Sequence, residues 1–303
     1  MIFLYHGVVP ERAPSDLWRA GQAIPREDLE RHVAWLARRR RILPLAQYLE
    51  RDASDPEAAK AVALTFDDGL RSSVSNAVTV LRKHGAPATF FVTTVHVESR
   101  EPLWFSYLNA LCFEGIYDSV EVEREVWPLG SFTERRRARR ALGENARASG
   151  DPVTWARDLA SRKPLPSEVA ARYEGVTPEE LRAIAASELF EVGSHTLTHP
   201  FLSQLTQETQ GAEIEGSRRR LAELCARQVR FFAYPAGDYD ERTVRLVQEA
   251  GYEAGFATIA KRLKPNGCFE IERVGIYSPS ILKLRLKAMG AARVARRLGL
   301  RVG

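Results

Sequence analysis

The chain has 303 residues, of which 45% are apolar, and its 44 Lys and Arg against 39 Asp and Glu give a net charge of +5. This length and apolar content suffice for one sizeable core, and the near balance of charge argues against a nucleic-acid-binding protein despite arginine clusters at 38–41, 135–140 and 218–220. Three scattered cysteines do not suggest a disulfide framework, and no apolar run reaches membrane-spanning length.

The chain opens with a short apolar strand pattern, 1–8, that His6 interrupts. This interruption and the charges of Glu11 and Arg12 do not fit a signal peptide, so we expect a cytoplasmic protein. A histidine at a strand end is either a buried structural residue or a proton donor, because its pKa lies near neutrality.

Two adjacent carboxylates, Asp67 and Asp68, follow the apolar run 61–64 and precede Gly69. Asp-Asp-Gly alone is an ordinary turn. At the end of a buried strand, however, neighbouring acids repel each other and lose solvation, and a fold keeps them where a metal ion or a reacting proton compensates.

Strand-like and helical patterns alternate along much of the chain. Helices are predicted over 76–84 and 242–251, each with a glycine as a stop. This alternation favours an α/β fold with a parallel sheet.

The stretch 96–189 breaks this alternation. It begins with Trp104 and Phe105, becomes polar and rich in arginine, and ends in a helix start at 177–180 with proline at the first helical position. We expect a mainly helical insertion that covers or flanks a cleft, either as a lid or as an acceptor-recognition subdomain, with Trp104 and Phe105 at its root.

Two histidines, His195 and His199, lie four residues apart just after an apolar segment. On a helical turn this spacing places both imidazoles on one face. The chain has only six histidines, so a close pair indicates a metal site more strongly than it indicates two solvated side chains. One carboxylate from Asp67 and Asp68 would complete the ligand set of a catalytic divalent metal.

These residues, in this order, resemble the motifs of the polysaccharide deacetylases, carbohydrate esterase family 4. The first two motifs of that family correspond to 65–69 and 195–199, and Phe231–Gly237 resembles the third. The resemblance covers roughly 1–95 and 191–277. It implies a distorted, incomplete (β/α) barrel in a single domain, 1–303, with the active residues at the carboxyl ends of the strands.

The resemblance also implies a division of roles. Asp68, His195 and His199 would hold a divalent ion, with Zn²⁺ fitting best and Co²⁺, Ni²⁺ or Mn²⁺ as alternatives. Asp67 would be the general base for attack of a metal-activated water on an N-acetyl group.

The third motif both matches the family and departs from it. Ala236 would donate its backbone N–H to the oxyanion, with Tyr234 and Pro235 beside the substrate. Ala233 stands where many members have an arginine that orients the base, and Arg273 is a candidate to replace it, although a surface salt bridge is the ordinary explanation for any one arginine.

The general acid requires another source, because no histidine follows His199. In the permuted, poly-N-acetylglucosamine deacetylase-like branch of the family, a Tyr-His element near the N-terminus replaces the late histidine. Residues 5–6 resemble that element, and 232–235 share the Phe-Ala-Tyr-Pro of the same branch. This resemblance implies that His6 is the general acid.

The last segment, 281–303, mixes apolar and basic residues and contains no acid. It is either a helix packed on the barrel or a basic amphipathic segment that contacts the inner face of an anionic membrane. The expected partner is an N-acetylated sugar, glycan or glycolipid. Alternative interpretations are a non-catalytic glycan-binding relative, a hydrolase of another amide or an ester, and a basic adaptor for membrane or nucleic acid.

Overall fold

The fold is that of a computed structural model, which describes residues 1–11, 23–52, 54–56, 58–263 and 267–290. In chain order the strands are β1 (Ile2–Tyr5), β2 (Gly7–Val9), β3 (Ala23–Pro25), β4 (Arg41–Ile42), β5 (Ala61–Phe66), β6 (Ala88–Val92), β7 (Ser119–Val122), β8 (Glu125–Pro128), β9 (Phe190–Ser194), β10 (Phe231–Ala233), β11 (Ala254–Ala257) and β12 (Ile271–Gly275). The helices are α1 (Arg26–Arg39), α2 (Leu45–Glu50), α3 (Arg71–Lys83), α4 (Thr94–Ser99), α5 (Trp104–Phe113), α6 (Phe132–Ala148), α7 (Pro152–Arg162), α8 (Ser167–Ala170), α9 (Pro178–Ala185), α10 (Gln207–Cys225), α11 (Glu241–Glu249) and α12 (Ile281–Ala288).

A parallel barrel forms the centre of the protein. Its strands follow the order β1, β12, β11, β10, β9, β6, β5, and β5 pairs again with β1, which closes the circle. The first strand of the chain therefore lies between the last strand and β5. The predicted α/β barrel is confirmed, with seven strands where a complete (β/α) barrel has eight.

Side chains alternate between the barrel interior and the surrounding helices, as parallel strands require. In β5, Ala61 and Ala63 face inward, whereas Val62, Leu64 and Phe66 pack in the layer beneath the helices. The small interior residues leave room for larger inward-facing side chains from other strands, including three phenylalanines and one arginine: Phe91, Phe231, Phe256 and Arg273.

The outer helices agree in part with their sequence patterns. The predicted helix 242–251 is α11, which Asp240 caps and Gly251 follows with a φ of +79°. Helix α3 begins at Arg71, five residues before the predicted start at 76. The sequence pattern missed this first turn because it is polar, with Val74 as its only apolar residue.

The stretch 96–189 contains the end of α4, helices α5 to α9 and an antiparallel hairpin of β7 and β8. The apolar side chains of α5 to α8 and of the hairpin form a hydrophobic cluster separate from that of the barrel helices, whereas Val97, Val176 and the apolar residues of α9 belong to the barrel cluster. Capping boxes at Ser131 and Thr177 begin α6 and α9. The segment thus has its own core and packs against one side of the barrel rim.

No helix among the described residues is both long enough and apolar enough to cross a membrane. Helix α12 packs Leu284 and Ala288 inward and leaves Leu282, Leu286 and Met289 exposed. Residues 291–303 of the predicted basic segment lie outside the described residues.

Candidate active site

The predicted site residues meet at the carboxyl rim of the barrel. His6 follows β1, Asp67 follows β5, His195 follows β9 and Tyr234 follows β10. Because parallel strands run in one direction, the loops after them share one rim. They line a cleft of about 920 Å³ together with residues from the insertion.

Three predicted ligands form a compact group. Atoms offered by Asp68, His195 and His199 all lie within 4.8 Å of one another. Oδ1 of Asp68 is 3.7 Å from Nε2 of His195 and 3.7 Å from Nε2 of His199. These separations leave room for one ion between the three side chains.

The donor chemistry fits a divalent metal. Nδ1 of His195 donates a 2.8 Å hydrogen bond to the Ala233 carbonyl, so Nδ1 carries the ring proton and Nε2 keeps its lone pair. Burial lowers the pKa of His195 to about 4 and that of His199 well below its usual value, which leaves both imidazoles neutral. Burial and the neighbouring Asp67 raise the pKa of Asp68 to about 8, so the ionised carboxylate requires a cation beside it.

Asp67 differs from its neighbour because it already has a cationic partner. Arg273 donates two hydrogen bonds of 2.7 Å, one to each carboxylate oxygen. Burial alone would raise the pKa of Asp67, but Arg273 and then His195 outweigh burial and hold that pKa below its usual value. Asp67 is therefore ionised at neutral pH. Asp68, by contrast, favours its protonated form in the absence of a metal ion.

Arg273 reaches Asp67 from inside the barrel. It lies in β12 opposite Ile2, is 1% exposed, and places its guanidinium 5.1 Å from the centre of the Phe91 ring. One of its nitrogens also lies 3.3 Å from Oγ1 of Thr65. The structure thus pairs the predicted base with a buried arginine from β12. The position at which many family members carry such an arginine holds Ala233 in this chain.

His6 lies on the rim beside the two acids and lines the cleft. Its ring centre is 5.7 Å from that of Tyr277, and its buried Nδ1 has no hydrogen-bond partner among the described residues. Burial lowers the pKa of His6, Asp67 acts in the opposite direction and Arg273 lowers it again. His6 is therefore a weakly basic imidazole with one nitrogen free to exchange a proton.

The turn after β10 brings some of its predicted residues to the cleft. Ala236 adopts a left-handed conformation, with φ of 53°, and lines the cleft. Tyr234 is 1% exposed; its hydroxyl donates to the Phe269 carbonyl and its ring stacks on Tyr239, so only one edge reaches the cleft. Pro235 is buried behind the turn and is not a lining residue, which differs from its predicted place beside the substrate.

The turn that carries the two histidines has a strained backbone and is stabilised by hydrogen bonds to α10. Thr196 and His199 have positive φ of 69° and 60°, a conformation that costs about 1 kcal/mol or more for most residues. Glu213 of α10 accepts hydrogen bonds from the N–H groups of Leu197 and Thr198. Glu213 thus supports the turn that carries the two histidines, and sequence reasoning missed it because nothing in the pattern of α10 distinguishes it from a solvated glutamate.

The insertion forms the opposite wall of the cleft. Nε1 of Trp104 donates a 2.9 Å hydrogen bond to the carbonyl of His199, and the Phe105 ring lies 4.5 Å from the His199 imidazole. The root of the insertion thus contacts a predicted metal ligand. Two polar residues of the same wall, Asn109 and Arg139, were not singled out from the sequence.

Comparison with known proteins agrees with this geometry. The family model described as polysaccharide deacetylase matches residues 54–255. The Bacillus subtilis protein YxkH is 20% identical over 256 residues, which are 84% of this chain and 65% of that relative, so the chain spans less than two thirds of its length.

Solved structures share the fold. The Streptococcus pyogenes deacetylase PplD, solved in complex with acetate, has a TM-score of 0.59 and 19% identity, covering 95% of this chain and 96% of that chain. The structure of IcaB from Ammonifex degensii has a TM-score of 0.58 and 19% identity, covering 96% of both chains.

Proposed function

Because the chain belongs to the polysaccharide deacetylase family, we propose that it is a metal-dependent N-deacetylase acting on an amino sugar in a glycan, a glycolipid or a sugar intermediate. One observation carries the proposal. Two adjacent buried carboxylates have different partners, Arg273 for Asp67 and the two imidazoles for Asp68. That separation provides one base and one metal site on the same strand end.

The proposed mechanism assigns a task to each side chain. A divalent ion held by Asp68, His195 and His199 would supply Lewis acidity at the acetyl carbonyl and would acidify water. Asp67 accepts the proton of the attacking water, and Arg273 keeps that carboxylate ionised and oriented.

The remaining groups serve the later part of the reaction. The backbone N–H of Ala236 donates to the oxyanion that develops on the acetyl oxygen. His6 protonates the departing amine; its Nδ1 has no other partner among the described residues, and because burial lowers its pKa, the imidazole must first take up a proton, which the nearby Asp67 favours. The buried Pro235 sets the turn that presents Ala236.

An acetate-release screen over N-acetylated sugars, nucleotide sugars and glycolipids, run with and without a chelator, tests the activity. We expect release that the chelator abolishes. Sugar binding without release would instead favour a non-catalytic glycan-binding protein, and release from simple esters alone would favour another hydrolase.

Two neighbouring variants test the division of roles. We expect Asp67→Asn to lose activity by about 100-fold or more while elemental analysis still finds the bound metal. Asp68→Asn should lose both, and Asp158→Asn on the exposed face of α7 should lose neither. Metal loss in Asp67→Asn would contradict the assignment.

Zinc is the metal we expect, because two imidazoles and one carboxylate match its usual ligands.

We also propose that α12 contacts an anionic membrane surface from the cytoplasmic side. The exposed Leu282, Leu286 and Met289 lie beside the exposed cations Lys283 and Arg285, and the segment before α12 carries Tyr277 on the cleft. Such a helix face suits a lipid-linked substrate. Co-sedimentation with phosphatidylglycerol vesicles, but not with phosphatidylcholine vesicles, is expected, and Leu286→Ser should weaken it; equal binding to both vesicle types would contradict the electrostatic contact.

A further inference from the structure

The charges that line the cleft are unevenly distributed. Among the described lining residues, the acids are Asp67 and Asp68, and both belong to the catalytic set. The charged lining residues outside that set are Arg139 and Lys261, and both are positive. Outside the proposed catalytic set, the charged residues in the described lining of the cleft are therefore cationic.

Arg139 differs from other arginines of its own helix, α6. Arg140 pairs with Glu144, and Arg147 pairs with Asp238. Arg139 forms no ion pair with a carboxylate in the described chain; its Nε donates a 2.6 Å hydrogen bond to Oδ1 of Asn109. Asn109 is a neutral partner, so the charge of Arg139 is not neutralised.

The Arg139 guanidinium is fixed by a hydrogen bond, and its partial burial makes the lack of a counter-ion unfavourable. Asn109 is 7% exposed and lies on α5, so it fixes Arg139 from within the core of the insertion. Burial lowers the pKa of Arg139, which records the loss of solvation, although an arginine remains charged at neutral pH. A poorly hydrated cation without a counter-ion is unfavourable unless a ligand supplies the negative charge.

A glycine one turn later in α6 leaves space for this side chain. A Cβ added at Gly143 would lie 2.9 Å from a terminal nitrogen of Arg139, so the glycine permits the guanidinium to rest along its helix. The remaining N–H donors of the planar fork are free to bind two oxygens at once, the geometry that phosphate and carboxylate offer.

We propose that the cleft binds an acetylated sugar with an anionic substituent, a phosphate or a carboxylate, and that Arg139 is the specificity residue that binds it. This inference rests on the proposed deacetylase function and narrows its substrate class. Lys261 contributes positive charge, but its ammonium also donates to the Tyr239 carbonyl and lies over the Tyr239 ring. Arg139 is therefore the principal contact.

Calorimetric binding to the zinc-loaded protein tests the inference without turnover. The probes are N-acetylglucosamine, N-acetylglucosamine 1-phosphate and N-acetylmuramic acid, which are neutral, phosphorylated and carboxylated. We expect at least one anionic probe to bind about 10-fold more tightly than the neutral sugar, as a charge-assisted bidentate contact implies. The tighter of the two anions identifies the substituent.

Four variants test the contact. Arg139→Gln should remove the anionic preference and leave binding of the neutral probe unchanged, and Gly143→Ala should weaken the preference by displacing the guanidinium. Arg137→Gln, at an exposed position of the same helix, should change neither. Melting curves must be unchanged for the comparison to hold, and Arg139→Lys provides a second variant that keeps the charge and should retain part of the preference.

The outcomes separate this inference from the proposed function. Equal binding of the neutral and anionic probes to the wild-type protein would overturn the inference, and so would a preference that survives in Arg139→Gln, because the anion would then bind at the zinc or at Lys261. A preference that depends on Arg139 in a protein that releases no acetate would leave the anion site intact and overturn the deacetylase function alone.

Discussion

The two walls of the cleft are built in different ways. On the barrel rim two side chains of the proposed catalytic set are fixed by buried polar partners, because Arg273 holds Asp67 and the Ala233 carbonyl holds His195. On the insertion wall the contacts are mainly aromatic, and Arg139 is held by a single neutral amide. The rim is therefore suited to one reaction. Substitutions on the insertion wall, by contrast, can change substrate specificity without disturbing the reacting groups.

The strongest test of this difference is the buried pair on the rim. Arg273→Met leaves the ionised Asp67 buried without a counter-ion, so we expect the free energy of unfolding to fall by about 3–5 kcal/mol and kcat to fall about 100-fold. Denaturant titration and acetate release measure both.

The matched control is another arginine with two hydrogen bonds to one carboxylate. Arg230 donates bonds of 2.8 and 2.6 Å to Glu253, but the pair lies at the surface. Arg230→Met should cost no more than about 1 kcal/mol. Equal losses in the two variants would show that burial does not distinguish the rim.

The second test concerns the support of the histidine turn. Glu213→Ala removes the acceptor for two partly buried N–H groups, so we expect a loss of about 1–3 kcal/mol in stability and a 10- to 100-fold loss in metal affinity. Glu213→Gln keeps one acceptor oxygen and should recover part of both. Glu215→Ala, at an exposed position of the same helix, is the control, and unchanged metal affinity in Glu213→Ala would refute the positioning role.

The third test moves to the junction between the two walls. Trp104→Phe keeps an aromatic ring against Phe201 but removes the hydrogen bond to the His199 carbonyl. We expect a loss of about 1 kcal/mol in stability and only a few-fold loss in kcat. Trp155→Phe, within the core of the insertion, should leave kcat unchanged. A loss of kcat as large as that of Arg273→Met would mean that the wall takes part in the chemistry.

The same contrast explains what could be predicted from the sequence. The rim was predictable because metal chemistry requires particular residue types at fixed spacing, as at Asp67, Asp68 and the two histidines. The pairing of Arg273 with Asp67 depends on β12 lying beside β1, and sequence spacing gave only a candidate.

The insertion was predictable only in outline. Its hairpin of β7 and β8 turns through Glu123 and Arg124, which both have positive φ, so the usual Asn-Gly signal is absent. Helix α6 carries arginines on several faces, and only the docking of that helix decides that Arg139 reaches the cleft. No periodicity in the sequence contains that information.

The smallest effect on stability is expected from His32 in α1, a helix that packs outside the barrel. Burial lowers the pKa of His32 to about 4, and the nearby Pro279 carbonyl and Asp28 only partly oppose this. The unfolded chain binds this proton more tightly than the folded protein, so stability is lost as pH falls from about 6.5 to about 4. His32→Gln removes this titration and should flatten that part of the dependence of the denaturant midpoint on pH; a dependence as steep as that of the wild type would contradict the assignment to His32.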